Sequence, residues 1–329
     1  MALNVKKSQY DLCAIGSALL DFIYNVDNSF LDKLKLKKGE MHLIDEERSR
    51  EIFAIMNGIR SDIAPGGSSA NTAAGVAKLG GKAAFIGAVA NDDYGTVYIN
   101  KTRESGVQSF ISREQGLTGH AITFITPDSE RTFATHLGAA LNLSAENVDF
   151  SVIASSSFLH LEGYLFESPS LREICYRAME TAHNSGTLVS VDLADPALIK
   201  RIGNIFDDVI KNHADILFMN EEEAFSLTGA RDESAFSKLP ERSSVVVIKL
   251  GENGSLIKQR DLIIKIPSFK TDVVNTNGAG DMYAAGFLYG ISSGKSLETA
   301  GKIASLSAAA VVASPGARAE KDIDLSVVL

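Results

Sequence analysis

Cysteine is scarce in this chain: two among 329 residues, Cys13 and Cys175, each inside an apolar stretch. Two such residues supply neither a zinc-ligand spacing nor a disulfide framework, and a reduced, cytoplasmic setting is expected. Tryptophan is absent altogether, so a flat apolar slot for a planar ligand has to be built from phenylalanine or tyrosine. Positive charge is in deficit, 32 Lys and Arg against 41 Asp and Glu, a net −9. That argues against the clustered basic surface on which nucleic-acid binding depends, although backbone amides and a metal ion can still hold an anion locally. Long apolar runs are missing too. Lys6 and Lys7 precede an apolar stretch, but Gly16 and Ser17 interrupt it and Asp11 and Asp21 bracket it. This is the pattern of a buried first strand rather than an export signal. Nothing reaches the roughly 20 apolar residues of a membrane span, and a soluble protein is expected.

What the chain does contain is an ordinary globular composition, 45% hydrophobic and 22% charged. Its length slightly exceeds the size at which single cores stop growing, so one large domain with a small appendage is expected over residues 1–329. Short apolar runs at 12–15, 83–90, 158–161, 188–191, 216–219 and 245–250 read as buried strands. They alternate with helix-like stretches at 45–59, 170–185 and 221–227. Asp45 stands as an N-cap with Glu46 and Glu47 in the first turn, and Gly186 and Gly229 sit where helices end. The alternation predicts a three-layer α/β/α fold with a mostly parallel central sheet. Residues 21–43 and 118–135 break the pattern and read as exposed strands, the second with a Pro127-Asp128 turn. Together they predict a small β-sheet lid. Ala-rich helices are predicted at 279–292 and 297–313, with small-residue faces suited to close packing.

Two glycine clusters carry the chemistry. Asn275-Thr276-Asn277-Gly278-Ala279-Gly280-Asp281 leads straight into a predicted helix. The first amides of a helix lack partners and carry partial positive charge, which suits a transferring phosphoryl group. Asp281 stands beside them as a candidate base for an attacking hydroxyl. A glycine-rich turn capped by an aspartate reads equally well from these residues alone. The earlier cluster, Pro65-Gly66-Gly67-Ser68-Ser69-Ala70-Asn71, precedes a helix predicted at 72–79 that Gly80-Gly81 end. It is neither G-x-G-x-x-G nor a Walker A loop. Its glycines let a ligand approach the backbone, and Asn71 offers both donor and acceptor to hydroxyls. An NAD-dependent oxidoreductase is disfavoured, because no G-x-G-x-x-G follows the first strand.

The two clusters, their order and their separation resemble the PfkB, or ribokinase-like, family of carbohydrate and nucleoside kinases. The resemblance runs over nearly the whole chain. The early cluster with Gly87 and Asp92-Asp93-Tyr94-Gly95 is similar to the family's first signature, and Gly278-Ala279-Gly280-Asp281 to its second. The resemblance implies a fold and a set of roles. Asp281 is the base, and the amides of Gly278, Ala279 and Gly280 face the phosphoryl group. Asp21, Gly66, Gly67, Asn71 and Glu162 line the acceptor site, and Arg131, a substrate-side residue on the lid, reaches over a phosphate or closes the site. Asn220, Glu223, Lys249, Gly251 and Gly254 lie on the ATP side, with Glu223 supporting Mg2+ through water. Asn275 stands where many relatives carry an aspartate that helps coordinate a monovalent cation; the departure keeps an oxygen but loses the charge, which puts K+ dependence in question. The run 26–33 with Leu36, Met41-His42-Leu43 and Glu130-Arg131-Thr132-Phe133 resembles the adenosine-kinase-like branch. That implies an ATP-dependent kinase acting on a nucleoside, with Phe133, Tyr164 or Phe166 as base clamps. A free sugar or sugar acid is the alternative acceptor, and a non-catalytic sensor the alternative of another class. The resemblance also implies that the lid can pair two subunits into a homodimer.

Overall fold

The computed structural model describes residues 3, 5–128, 130–239 and 243–329. Its strands are β1 (Tyr10–Ile15), β2 (Leu19–Asn25), β3 (Met41–Leu43), β4 (Asp62–Gly66), β5 (Ala83–Ala90), β6 (Gln108–Glu114), β7 (His120–Ile125) and β8 (Arg131–His136). β9 (Ser156–Glu162), β10 (Leu188–Asp192), β11 (Ile216–Asn220), β12 (Val245–Lys249), β13 (Ser255–Gln259) and β14 (Leu262–Ile266) complete them. The helices are α1 (Asn28–Lys33), α2 (Glu46–Ile55), α3 (Ser68–Lys78), α4 (Asp93–Glu104), α5 (Phe150–Ala154), α6 (Pro169–Ser185), α7 (Pro196–Asn212), α8 (Glu221–Thr228), α9 (Ala279–Ser292) and α10 (Leu297–Val312).

Nine strands form the large sheet in the order β14-β13-β12-β11-β10-β9-β1-β5-β6. β6 through β12 in that row pair in parallel, and β13 and β14 close the edge as an antiparallel extension. Because side chains alternate across a strand, a sheet covered on both faces needs apolar residues at every position. β1 shows this directly: Leu12 and Ala14 enter one apolar cluster, Cys13 and Ile15 the other. The first cluster lies under α3, α9 and α10, the second under α5, α6 and α7. On β12, Val245 and Val247 face the first, and Val246 and Ile248 the second.

Small residues set how closely the first layer packs. A Cβ on Gly286 would stand 2.7 Å from Ala304 Cα, and one on Gly290 2.8 Å from Ala300 Cα, so α9 and α10 touch backbone to backbone. A Cβ on Gly75 would stand 2.6 Å from both Ala285 Cβ and Met282 Sδ. This contact draws α3 against α9 and brings their amino ends side by side.

The second sheet has the order β3-β8-β7-β2-β4. It departs from the expected lid in three ways. Residues 21–43 are not one extended segment but β2, α1 and β3. β4, from outside both predicted segments, joins antiparallel to β2. The inner strands are also not exposed: five of the six residues of β7 are buried, with Ile122 and Phe124 in the first cluster beside Phe22 and Tyr24 of β2. Elsewhere α3 begins at Ser68 rather than at residue 72, and α2 ends at Ile55 rather than at 59. Asp45 does cap α2, its carboxylate accepting from Arg48 N. Gly186 and Gly229 both take the left-handed conformation at helix ends.

Candidate active site

Four neighbouring strands of the large sheet end in polar residues at the same edge: Glu162 on β9, Asp192 on β10, Asn220 on β11 and Lys249 on β12. Asp192 lies in register with Glu162, and Asn220 with Lys249. In open α/β sheets this carboxyl edge is where ligands bind.

Asp281 occupies the first turn of α9, beyond Gly278, whose backbone is left-handed (φ 75°). A Cβ at Gly278 would lie 2.2 Å from Ala317 O, so the turn admits only glycine. The Asp281 carboxylate accepts from Ser68 Oγ at 2.7 Å on Oδ1 and from Asn71 Nδ2 at 3.0 Å on Oδ2. Both donors come from the first turn of α3, which the Gly75 contact holds in place. Thr72 Oγ1 adds a bond to the Asp281 carbonyl at 3.3 Å. Burial raises the Asp281 pKa to about 6, against the pull of Ser68, Asn71 and Lys249.

Asp21, half-buried on β2, is tucked against the di-glycine turn: a Cβ on Gly66 would lie 2.6 Å from its Oδ2. Its pKa is pushed up to about 7 by burial, opposed by the charges of Arg318 and Arg131 and reinforced by Asp281. Gly67 is left-handed (φ 92°), and a Cβ there would meet Ser17 O at 2.0 Å. Tyr98 Oη donates to Gly66 O at 3.0 Å from beneath.

Glu162 is buried at the end of β9. It is 1% exposed, and its oxygens accept from Ser17 N and Ser69 N, each at 2.8 Å. Burial raises its pKa, and those amides oppose the rise. Its geometry is that of a brace joining the end of β1 to the glycine turn.

On the other flank Lys249 Nζ pairs with Asp192 Oδ2 at 2.7 Å, both largely buried. The same Nζ would stand 3.1 Å from a Cβ on Gly280, just under the amino end of α9. Burial opposes the lysine charge, but Asp192 and Glu223 outweigh it and raise its pKa. Asn220 and Glu223 form a capping box: Asn220 Oδ1 accepts from Glu223 N, and Glu223 accepts from Asn220 N and Nδ2. Burial pushes the Glu223 pKa up to about 7, with Lys249 opposing and Asp192 adding. Gly251 and Gly254 form the turn between β12 and β13.

Other expected positions sit less directly. The Ala279 amide turns back to Thr276 O at 3.3 Å, leaving Gly280 and Asp281 as the first-turn amides without an acceptor inside the helix. Phe166 is fully buried against Phe206 and is core, not a base clamp. Phe133 is half-buried, and Tyr164 is 39% exposed. Arg131 reaches Pro315 O at 3.4 Å. Asn275, 5% exposed, donates from Nδ2 to Pro315 O and accepts on Oδ1 from Asn277 N, both at 2.9 Å. A group that donates toward the neighbouring carbonyl does not fit a monovalent-cation site, where oxygens must converge.

Three residues escaped the sequence reading. Ser68 lies inside the earlier glycine cluster, and Asp192 directly follows the predicted buried strand at 188–191. Arg318 carries no signal. It sits in the tail beyond α10, yet its Nε donates to Asn71 Oδ1 at 3.0 Å.

A carboxylate between two glycine turns, near the carboxyl edge of such a sheet, suits transfer of a phosphoryl group to an alcohol. Residues 54–323 match the family described as pfkB family carbohydrate kinase, and the chain belongs to that family. It is similar to the solved adenosine kinase of Sinorhizobium meliloti, with 34% identity, a TM-score of 0.88, and 97% of this chain and 98% of that one covered. It also resembles the 5-dehydro-2-deoxygluconokinase of Bacillus velezensis, 32% identical over 261 residues, covering 75% of this chain and 79% of the relative. An uncharacterized sugar kinase of Archaeoglobus fulgidus is 27% identical over 252 residues, covering 74% and 96%. Among the described residues, no helix is long and apolar enough to cross a membrane.

Proposed function

We propose that this kinase transfers the γ-phosphoryl group of ATP to a hydroxyl of an adenosine-like nucleoside, with Asp281 as the base. The observation that carries the reading is that Asp281 and Asp21 lie within electrostatic reach of one another, each beside a glycine turn. One carboxylate stands at the amino end of a helix, and the other beside Gly66 at the mouth of the small sheet. Asp21, Gly66, Gly67 and Asn71 receive the acceptor, and Asp281 takes its proton. The acceptor oxygen then forms a bond to the γ-phosphorus while the bond to the ADP oxygen breaks. In a loose transition state most of the acceleration comes from position and electrostatics, so a weak carboxylate base suffices. The amides of Gly280 and Asp281, with Lys249 below them, meet the charge on the phosphoryl oxygens.

Mg2+ would be held chiefly by the nucleotide's own phosphates and by water, with Glu223 and Asp192 the carboxylates at hand. Among the described residues no group of three or more His, Cys, Asp or Glu is placed to hold a metal without those phosphates. When bound, Mg2+ neutralises charge on the β- and γ-phosphates. No monovalent cation enters the scheme, because Asn275 is already engaged as donor and acceptor. Turnover independent of K+ is therefore expected.

The full-length likeness to an adenosine kinase supports the nucleoside, with Phe133 and Tyr164 the aromatic candidates for its base. A sugar acid is the second reading. Arg131 and Arg318 both act on Asp21, and guanidinium groups suit a carboxylate. The test is ADP release from Mg·ATP with nucleosides, pentoses, hexoses and keto-deoxy acids, with and without potassium. Dominance of adenosine upholds the first reading; dominance of a keto-deoxy acid replaces it with the second. Assembly belongs to the same set of proposals. The short edge strands β3 and β4 expose Met41, Leu43 and Ile63, a surface on which two copies would pair. A monomeric mass by light scattering at assay concentration would remove that proposal.

A further inference from the structure

We propose that Arg318, in the tail after α10, is a positioning residue that fixes the orientation of the Asn71 amide and so keeps Asp281 free to take and release its proton. The inference rests on Asp281 being the base.

The hydrogen-bond chain leaves the amide only one orientation. Arg318 Nε can only donate, so the atom of Asn71 that meets it at 3.0 Å must be the carbonyl oxygen. Nδ2 is thereby turned to Asp281 Oδ2 at 3.0 Å. Ser68 serves the other oxygen. The guanidinium therefore acts on the base through an interposed neutral amide. A direct Arg–Asp pair would hold the carboxylate ionised and weaken it as a base.

The arrangement matters most after proton transfer. While Asp281 is ionised, it orients Asn71 by itself, because a carboxylate repels the amide oxygen. Once Asp281 carries the acceptor's proton, a free amide could flip and accept that proton in an O–H···O bond. The carboxylic acid would then be held as a satisfied pair facing away from the cleft. Arg318 occupies the Asn71 oxygen in both states and closes this trap. The proton stays directed at the cleft and leaves to water once the phosphorylated product departs. Asp281 is also faced by Asp192 from β10, Lys249 from β12, Asp21 from β2 and Tyr164 after β9. None of these is hydrogen-bonded to Asn71.

A double-mutant cycle in kcat separates this role from direct contact. At a pH well above 7, where Asp21 stays ionised without the Arg318 charge, Arg318→Met is expected to lower kcat at least about tenfold, with the acceptor KM changed less than about twofold and Arg318→Lys recovering part of the rate. In an Asn71→Ala background, Arg318→Met is expected to cost less than about twofold, because the relay is already gone. A full loss in that background, or a large rise in acceptor KM, overturns the proposal and makes Arg318 a direct ligand of the acceptor. Wild-type kcat in Arg318→Met overturns it as well. Should Arg318→Met fail to fold, Arg318→Lys and Arg318→Gln in the two backgrounds complete the cycle. Asp281→Asn run alongside keeps the two readings apart: turnover surviving in that variant sinks the base assignment itself, whereas additivity with an inactive Asp281→Asn sinks only the Arg318 relay.

Discussion

Replacing Asp281 by asparagine removes a charge that burial disfavours, and this has two opposite consequences. The carboxyl pKa rises from 3.8 unfolded to about 6 folded. The folded state therefore binds more protons than the unfolded one between those values, and stability falls as pH rises through that window. At about 1.4 kcal/mol per unit, the ionised carboxylate costs on the order of 3 kcal/mol above pH 7. About 1 kcal/mol of that is already lost at pH 4.5, where the unfolded carboxyl is mostly ionised. The amide in the Asp281→Asn variant does not titrate, so the stability of the variant relative to wild type should climb by about 2 kcal/mol between pH 4.5 and pH 8. Groups that do not interact with Asp281 cancel in this difference, as does any fixed effect of the substitution, while Asp21, whose raised pKa Asp281 reinforces, adds to the climb in the same direction. Urea unfolding of both proteins at the two pH values measures it. In the same variant turnover should drop by roughly 10²–10⁴, the usual contribution of a general base, while ATP affinity stays within about twofold. A relative stability flat with pH would show that the carboxylate is not desolvated. Wild-type turnover would remove it as the base.

Four further outcomes follow from the same geometry. The acid limb of kcat/KM should fall between pH 6 and 7, because activity requires ionised Asp281 and ionised Asp21, raised to about 6 and about 7; a limb near pH 4 would contradict both environments. Gly66→Ala pushes a methyl to 2.6 Å from Asp21 Oδ2 and should raise the acceptor KM about tenfold while sparing the ATP KM, whereas unchanged steady-state constants would take Asp21 out of the acceptor site. Gly67→Ala meets Ser17 O at 2.0 Å with φ at 92°, so a loss of at least about 1–3 kcal/mol is expected, and chemical denaturation matching wild type would refute that strain. Lys249→Met strands Asp192 and Glu223 as buried carboxylates, for which about 3–5 kcal/mol is the usual cost; a loss under about 1 kcal/mol in urea would mean the pair is dispensable.

The large sheet was legible because burial on both faces leaves an unmistakable trace. Every position of β5 is buried, and its sequence Ala83–Ala90 is apolar throughout. The smaller sheet was not legible in the same way. β4 includes Pro65 and Gly66 and is largely exposed, so it looks like a turn until β2 pairs with it. α1 is six residues long with one buried side chain, too short to show a period. β13 and β14 form a hairpin at the sheet edge in which the apolar Leu262 is exposed and polar Ser255 is buried, which blurs their alternation. The start of α3 was misplaced for a different reason. Ser68 and Ser69 after two glycines read as loop, and only the packing of α3 on α9 makes them the first helical turn.

The same division runs through the site. Residues that act from a strand end or a glycine turn are visible, because backbone geometry constrains their neighbours: Gly66, Gly67, Asn71 and Asp281 all come from such places, whereas Asp21 is the third residue of β2. Asp192 belongs with them, because it stands at the end of β10. What the sequence cannot display is a contact made by a side chain from a distant irregular segment. Arg318 lies 247 positions from Asn71, in a tail without period, cap or motif, and its significance comes wholly from where the chain returns after α10. The tail closes over the α9 loop and the first turn of α3 through three contacts of different kinds: Asn275 with the Pro315 carbonyl, Gly278 against the Ala317 carbonyl, and Arg318 with Asn71 of α3. The first two hold the segment in register, so the guanidinium reaches the amide from a fixed backbone. A change at Asn275 or Gly278 would therefore shift Arg318 as well as the loop it sits in. The tail is then part of the machinery that presents Asp281, although none of its residues has a chemical step of its own.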